Sequence, residues 1–228
     1  MAFADGLAVS PDGAMRLFGI VGDPVSQVQA PLPATPRMRA AGANAALVPI
    51  HVPVAHLRKV FAALRLLGNL DGLVVTVPHK VAMLGLVDRL SDRARLAGAL
   101  NLARREPDGA WLGDMMDGAG FCGGLAANGF DPAGRSAFVV GAGGAGSAIA
   151  AELARLGARV RIFDVTAGRA GSLAARLRAA GCDAEATILP NPGGADLVVN
   201  ATPLGMQPGN PTRSTLGCYR PPCWLRRW

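Results

Sequence analysis

The sequence predicts an α/β protein built as two successive halves. Three observations carry that prediction. Apolar, strand-like runs alternate with segments of helical periodicity along most of the chain. One such run, Phe138-Val139-Val140, passes directly into Gly141-Ala142-Gly143-Gly144-Ala145-Gly146, and an alanine-rich helical pattern follows from Ala148 to Leu156. Hydrophobic residues make up 50% of the chain and charged residues 17%, the balance of a folded core and not of a disordered segment. Alternation of this kind implies parallel sheets covered by helices, with ligands at the C-terminal ends of the strands. At 228 residues the chain can bury a core in each half.

Taken in order, residues 1–14 read as a loose leader, and Leu17–Val21 as the first strand. Ala46–His51 and Gly72–Val77 are the next strands. Between them His56–Leu67 is the best helix, because Leu57, Val60, Phe61, Leu64 and Leu67 fall on one face. Runs at Ala99–Arg104 and Ala110–Leu112, split by Pro107-Asp108-Gly109, read as a hairpin. A helix from Asp117 to Asn128 ends at Gly129, and Asp131-Pro132 marks a break. These elements assign residues 15–130 to a first domain. Residues 131–206 form a second, which opens with a strand at Ser136. It continues through a strand at Val160–Phe163, a helix from Ala167 to Ala180 closed by Gly181, and a strand at Asp196–Asn200. Beyond Met206, four prolines and two tryptophans stand among arginines, and neither periodicity survives. Residues 207–228 are therefore expected to be an irregular tail, as a truncated or frame-shifted end would be.

The glycines have separate jobs. Gly141 allows the tight turn, Gly143 lets the backbone approach a pyrophosphate, and Gly146 lets helix and strand pack closely. Ala142, Gly144 and Ala145 complete the loop, whose helix N-terminus offers N–H groups and partial positive charge to phosphates. This is the context in which Gly-x-Gly-x-x-Gly marks a Rossmann-type dinucleotide site. Asp164 ends the next strand, about 20 residues on, where a carboxylate binds the ribose hydroxyls and repels a 2′-phosphate. That position predicts NAD in preference to NADP. Asp164 and Thr166 also suit helix capping, and Arg169 suits either an adenosine phosphate or a solvated helix face.

The formal net charge is +7. Residues 207–228 contribute four arginines and no acid, so the rest of the chain carries 19 basic and 16 acidic residues, a net of +3. No basic stripe interleaved with aromatics appears, which argues against a nucleic-acid partner. No apolar run reaches the roughly 20 residues of a membrane span. The N-terminus lacks the pattern of a secretory signal, so a cytoplasmic protein is expected. The four cysteines form no CxxC pair and the three histidines show no metal spacing, which leaves free thiols and no metal site. The expected partner is a small-molecule substrate, and the expected state a monomer or homodimer.

Read in order, a set of short motifs resembles the shikimate dehydrogenase family over about Arg16 to Met206. They are Gly22-Asp23-Pro24, Val75-Thr76-Val77-Pro78-His79-Lys80, Gly98-Ala99-Leu100-Asn101, Gly113-Asp114-Met115-Met116-Asp117-Gly118, the glycine loop, and Asn200-Ala201-Thr202-Pro203-Leu204-Gly205-Met206. The resemblance implies an N-terminal α/β substrate domain and a C-terminal Rossmann-type domain. It implies an NAD(P)-dependent dehydrogenase acting on a CH–OH group of a hydroxy acid or ring alcohol. Lys80 and Asp117 match the catalytic lysine and aspartate, which together hold the hydroxyl and share its proton. Thr76 and Asn101 match substrate-binding positions. Asn200, Ala201, Thr202 and Met206 match cofactor-binding ones.

The chain departs from the family pattern around the substrate. Two serines that bind the shikimate carboxylate are replaced by Val28 and Ala30, an asparagine by Val74, another by Met115, and a threonine by Leu102. The NADP pattern Asn-Arg-Thr-x-x-Arg reads Asp164-Val165-Thr166-Ala167-Gly168-Arg169, which again points to NAD. The family's final helix, which returns a glutamine to the substrate, has no equivalent in the tail, so activity is expected to be impaired. A non-catalytic nucleotide-binding or regulatory member with a degraded site is the alternative. A folate or amino-acid dehydrogenase fits less well with Lys80, Asn101 and Asp117 all in place.

Overall fold

A computed structural model describes residues 11–204 and the backbone of 224–227. It contains two compact units. One takes the chain up to Leu90 and again from Asn101 to Gly113; the other takes Ser91–Leu100 and runs on from Asp114.

The first unit contains β1 (Arg16–Gly22), α1 (Pro31–Ala40), β2 (Ala45–His51), α2 (Leu57–Leu64), β3 (Leu70–Val75) and β4 (Arg89–Leu90). After α3 (Asp92–Ala97), which belongs to the other unit, β5 (Leu102–Arg105) and β6 (Trp111–Asp114) complete the sheet. The strand order is β2-β1-β3-β5-β6-β4. β1 runs parallel to β2 on one side and to β3 on the other, so the chain reverses direction across the sheet between β1 and β3. In open α/β sheets the crevice at the C-terminal ends of strands at such a reversal is where ligands bind. Ile20, Val21, Leu73 and Val75, in β1 and β3, are buried.

The expected helix His56–Leu67 is present but ends at Leu64. Beyond it the Arg105 guanidinium donates to the carbonyls of Arg65, Leu67 and Leu70 and holds the segment that leads into β3. Phe61 from this helix meets Trp111 edge-on, with ring centroids 5.4 Å apart. α1 was not legible, because Pro31, Pro33 and Pro36 interrupt its pattern; Pro31 is tolerated in the first turn, where its missing N–H has no partner to lose. The hairpin is present as β5 and β6, and the Pro107-Asp108-Gly109 turn is closed by Glu106 N–H to the Ala110 carbonyl at 2.8 Å.

In the second unit, α4 (Asp117–Ala127) precedes β7 (Ser136–Val140), α5 (Gly144–Arg155), β8 (Arg159–Phe163), α6 (Arg169–Ala179), β9 (Ala184–Ala186), β10 (Leu197–Asn200) and β11 (Trp224–Arg227). The order is β11-β10-β7-β8-β9, with every pair parallel. Phe138, Val140 and Val198 form a buried cluster in its middle. Here the reversal lies between β7 and β10. The expectation of a wholly irregular tail needs correction, since residues 224–227 pair with β10. An open strand edge accepts any extended backbone, so this strand requires no sequence periodicity. The remainder of 207–228 lies outside the described residues. No helix among the described residues is long and apolar enough to cross a membrane.

Candidate active site

The glycine loop sits at the C-terminal end of β7, at the reversal of the second sheet. Gly141 has φ +102°, and a side chain on it would press against the Ala201 carbonyl at 2.8 Å. A side chain on Gly146 would overlap the Gly141 carbonyl oxygen, so only glycine lets α5 start this close to β7. Gly143 meets nothing within 4 Å and leaves its face open. It is also the N-cap of α5, without a side-chain cap, so the first-turn amides, which include those of Ala145 and Gly146, are available to an anion. The Ser147 hydroxyl donates to the Ala142 carbonyl at 3.1 Å and holds the loop in shape. These features fit a dinucleotide pyrophosphate.

Asn200 ends β10 beside this loop and is 7% exposed. Its side chain accepts from the Thr202 amide at 3.0 Å and the Thr202 hydroxyl at 2.6 Å, and donates to the Leu204 carbonyl at 3.1 Å. The Ala201 amide donates to the Val140 carbonyl at 2.8 Å. Asn200, Ala201 and Thr202 therefore form a folded wall next to Gly141 and Gly146. Met206 lies outside the described residues.

Asp164 behaves differently from its sequence reading. One carboxylate oxygen accepts from the Ala142 amide and the other from the Thr166 amide, both at 2.7 Å. Both oxygens thus serve the main chain of the loop and of the next turn. Thr166 and Arg169 are exposed, and the Arg169 amide donates to the Thr166 carbonyl at 3.3 Å as α6 begins.

Asp117 also belongs to the second unit. It is the first residue of α4, where a carboxylate favours the helix dipole. Just upstream, Asp114 accepts from the Ser91 hydroxyl at 2.5 Å and from the Met115 amide at 2.8 Å. Ser91 in turn caps α3 through the Ala94 amide at 3.1 Å. Arg176 of α6 reaches the other end of α3 and donates to the Leu96 and Ala97 carbonyls, each at 2.8 Å. Burial pushes its pKa down from the usual arginine range. The sequence reading missed this frame, although Ser91 before Asp92 and Gly98 after Ala97 are a readable cap and stop.

Glu152 in α5 is 7% exposed and binds Arg155 through both oxygens, at 2.7 and 3.0 Å. Arg155 first and Arg93 after it hold its carboxyl below the usual range. Cys122, in α4, is buried, and that burial pushes its thiol up to about 12, which leaves it without thiolate at neutral pH.

Lys80 belongs to the first unit and is half-buried at the end of the turn that leaves β3. Three main-chain or ring bonds fix that turn. The Thr76 amide donates to the Val21 carbonyl at 2.9 Å, and the Asp23 amide to the Val77 carbonyl at 3.1 Å. His79, 1% exposed, places a ring nitrogen 2.7 Å from the Val52 carbonyl. The Asn101 carbonyl accepts from the Val75 amide at 2.8 Å, which sets Asn101 beside the same strand end. Val28 is half-buried in the loop after β1, and Ala30 is the N-cap of α1. Val74 and Leu102 are register partners across β3 and β5. Met115 is buried.

A glycine loop at a sheet reversal, followed by a wall of Asn200–Thr202, defines a nicotinamide-dependent oxidoreductase with a second α/β unit for its substrate. The family model for the shikimate dehydrogenase substrate binding domain matches residues 20–103. A shikimate dehydrogenase (NADP(+)) of Rubrobacter xylanophilus is 42% identical over 205 residues, covering 88% of this chain and 72% of that protein. The enzyme of the same name from Geobacter metallireducens is 44% identical over 147 residues, which are 64% of this chain and 51% of that protein. Among solved structures, shikimate 5-dehydrogenase of Listeria monocytogenes, in complex with shikimate and NAD, superposes with a TM-score of 0.85 at 25% identity, covering 95% of this chain and 79% of that one. The chain belongs to the shikimate dehydrogenase family.

The expected preference for NAD is overturned by the Rubrobacter and Geobacter relatives, which are named for NADP(+). The physical reason lies in Asp164: a carboxylate whose two oxygens both hold main-chain amides is a structural brace for the loop. The comparisons give no support to a non-catalytic member.

Proposed function

We propose that this chain oxidises a secondary alcohol on a polyhydroxylated ring, of the shikimate type, to the ketone, with NADP+ as the oxidant. When bound, the cofactor accepts the hydride from the alcohol carbon. Lys80 takes the hydroxyl proton, and Asp117 supplies the second polar group that holds that hydroxyl. Thr76 and Asn101 contribute hydrogen bonds to the ring, and Val28 and Ala30 line its far end. Gly141–Gly146 hold the pyrophosphate, while Asn200–Thr202 back the nicotinamide side. Thr166 and Arg169, exposed at the head of α6, take the 2′-phosphate.

The carrying observation is positional: the glycine loop and the lysine turn each leave a parallel strand at its C-terminal end, at the reversal of its own sheet. Identity of 42% to a named relative supports the same reading. The reading also takes the first unit as the substrate domain and the second, which includes Ser91–Leu100 and resumes at Asp114 in place of the expected boundary at 130/131, as the cofactor domain, in a cytoplasmic monomer or homodimer without a nucleic-acid partner. The test is turnover of shikimate by the purified chain with NADP+ and, separately, NAD+. Growth of NADPH absorbance, with NADP+ used more efficiently than NAD+, is the expected result. No turnover of shikimate or any related ring alcohol with either cofactor would refute the reading.

A further inference from the structure

We propose that His51, oriented by Asp23, is a substrate-binding residue that accepts a hydrogen bond from a ring hydroxyl. The inference rests on the reading above, that the substrate is a polyhydroxylated ring.

The two residues stand at the C-terminal ends of neighbouring parallel strands. His51 is the last residue of β2 and is in register with Gly22, the last of β1, after which Asp23 follows at once. Asp23 Oδ1 lies 2.8 Å from His51 Nε2, and Asp23 Oδ2 accepts from the Val54 amide at 3.1 Å. The carboxylate is thus held from two sides. The hydrogen bond to His51, then that to Val54, keeps its pKa below the usual range, so it is ionised at neutral pH.

An ionised carboxylate at Nε2 selects the tautomer that carries its proton there. Nδ1 of neutral His51 is then a lone-pair acceptor. The same device, a fixed carboxylate setting the tautomer of an imidazole, orients the histidine of hydrolase triads. Here 55% of the His51 side chain is exposed, so the ring is open to a ligand. Among the described residues no hydrogen bond to Nδ1 is formed.

His51 and Lys80 hang on one main-chain frame. The Asp23 amide holds the Val77 carbonyl, three residues before Lys80. The carbonyl of Val52, next to His51, holds the ring of His79, next to Lys80. A ring that offers one hydroxyl to Lys80 has others directed elsewhere, and an oriented acceptor at a strand end is what a further hydroxyl requires. Hydroxyl side chains are absent at Val28 and Ala30. The first turn of α1 adds no donor of its own. Pro31 and Pro33 have no N–H, and the Leu32 and Ala34 amides already reach the Gln29 and Ala30 carbonyls at 3.1 Å each. His51 supplies polarity that this part of the site lacks.

The test compares the full chain with His51→Leu, His51→Asn and His51→Gln, using shikimate and its monodeoxy analogues with NADP+. An asparagine side chain places an acceptor near Nδ1, and a glutamine places its amide near Nε2. His51→Leu should raise KM for shikimate about tenfold, the size of one lost neutral hydrogen bond, with kcat changed far less. His51→Asn should recover most of that loss and His51→Gln should not. For one monodeoxy analogue, parent and His51→Leu should have equal kcat/KM, because the partner hydroxyl is already gone. An unchanged KM, rescue by glutamine instead of asparagine, or an equal loss on every analogue would overturn the inference. Should no ring alcohol be turned over, the reading of the reaction fails separately. Calorimetric binding of shikimate to the NADP+ complex then decides: weaker binding to His51→Leu alone supports the contact, and equal or undetectable binding to parent and variant overturns it.

Discussion

Gly118 lies so close to the Ala148 carbonyl that a methyl group on it would overlap that carbonyl and stand only 2.8 Å from the Cβ of Glu152, one turn further along α5. The contact locks α4 onto α5, and it does so one residue after Asp117. The proposed catalytic carboxylate is therefore fixed to the helix that begins at the glycine loop. Main-chain atoms cannot give way cheaply, so Gly118→Ala should destabilise the chain by about 1–3 kcal/mol. It should also lower kcat by about tenfold or more through a displaced Asp117. Urea melts and steady-state turnover check the two effects; wild-type values in both would show that α4 and α5 separate freely.

Lys80→Ala and Asp117→Asn should each lower kcat by about 10²-fold, the scale of general acid–base groups. NADP+ affinity, read by fluorescence titration, should stay near the parent value. A variant that turns over normally would remove its residue from the mechanism.

Val28→Ser with Ala30→Ser should improve shikimate use. A carboxylate regains charge-assisted hydrogen bonds worth about 1.5–3 kcal/mol, or about ten- to a hundredfold in kcat/KM. The ratio of kcat/KM between the double variant and the parent is the measurement; a ratio of one or less would show that this end of the site does not hold the carboxylate.

Stability should depend on Glu152 above pH 4.5, its ordinary value, since Arg155 and Arg93 lower its pKa in the folded chain. A depressed carboxyl contributes its full stabilisation above the unfolded value and loses it as pH falls through the folded value. At pH 7, Glu152→Gln should cost about 1–2 kcal/mol, the lower part of the range for charged hydrogen bonds because Arg155 remains half exposed to water. The cost should shrink steadily below pH 4.5. Denaturant melts of both proteins across that window would expose a pH-independent gap, which would place the effect in packing and not in charge.

Sequence alone reached the strands β1, β2 and β3 and the whole turn from β7 into α5, because apolar runs with flanking glycines admit few alternatives. It did not reach α1, whose prolines read as a break, or α3, too short for periodicity. β11 pairs through backbone alone and leaves no side-chain pattern. Asp164 shows a different limit. Its position at the end of β8 is legible, yet whether its oxygens face a ribose or the Ala142 and Thr166 amides depends on the fold of the loop. Lys80, Asn101 and Asp117 were singled out by the resemblance of their motifs alone; the brace of Ser91, Asp114 and Arg176 around α3 was not legible, since its members are far apart in the chain.

The interleaving of the two units has a consequence for how this protein could be divided or inherited. The chain passes from one unit to the other at Leu90, at Leu100 and at Gly113 before it settles in the second. A cut at 130/131 would strip α3 and α4 from α5 and leave Ala148, Glu152 and the guanidinium of Arg176 facing water. The cofactor half is thus no transferable cassette. Recombination that swaps substrate halves between relatives must carry the segment 91–130 with the glycine loop, or the hybrid inherits a helix without its cover.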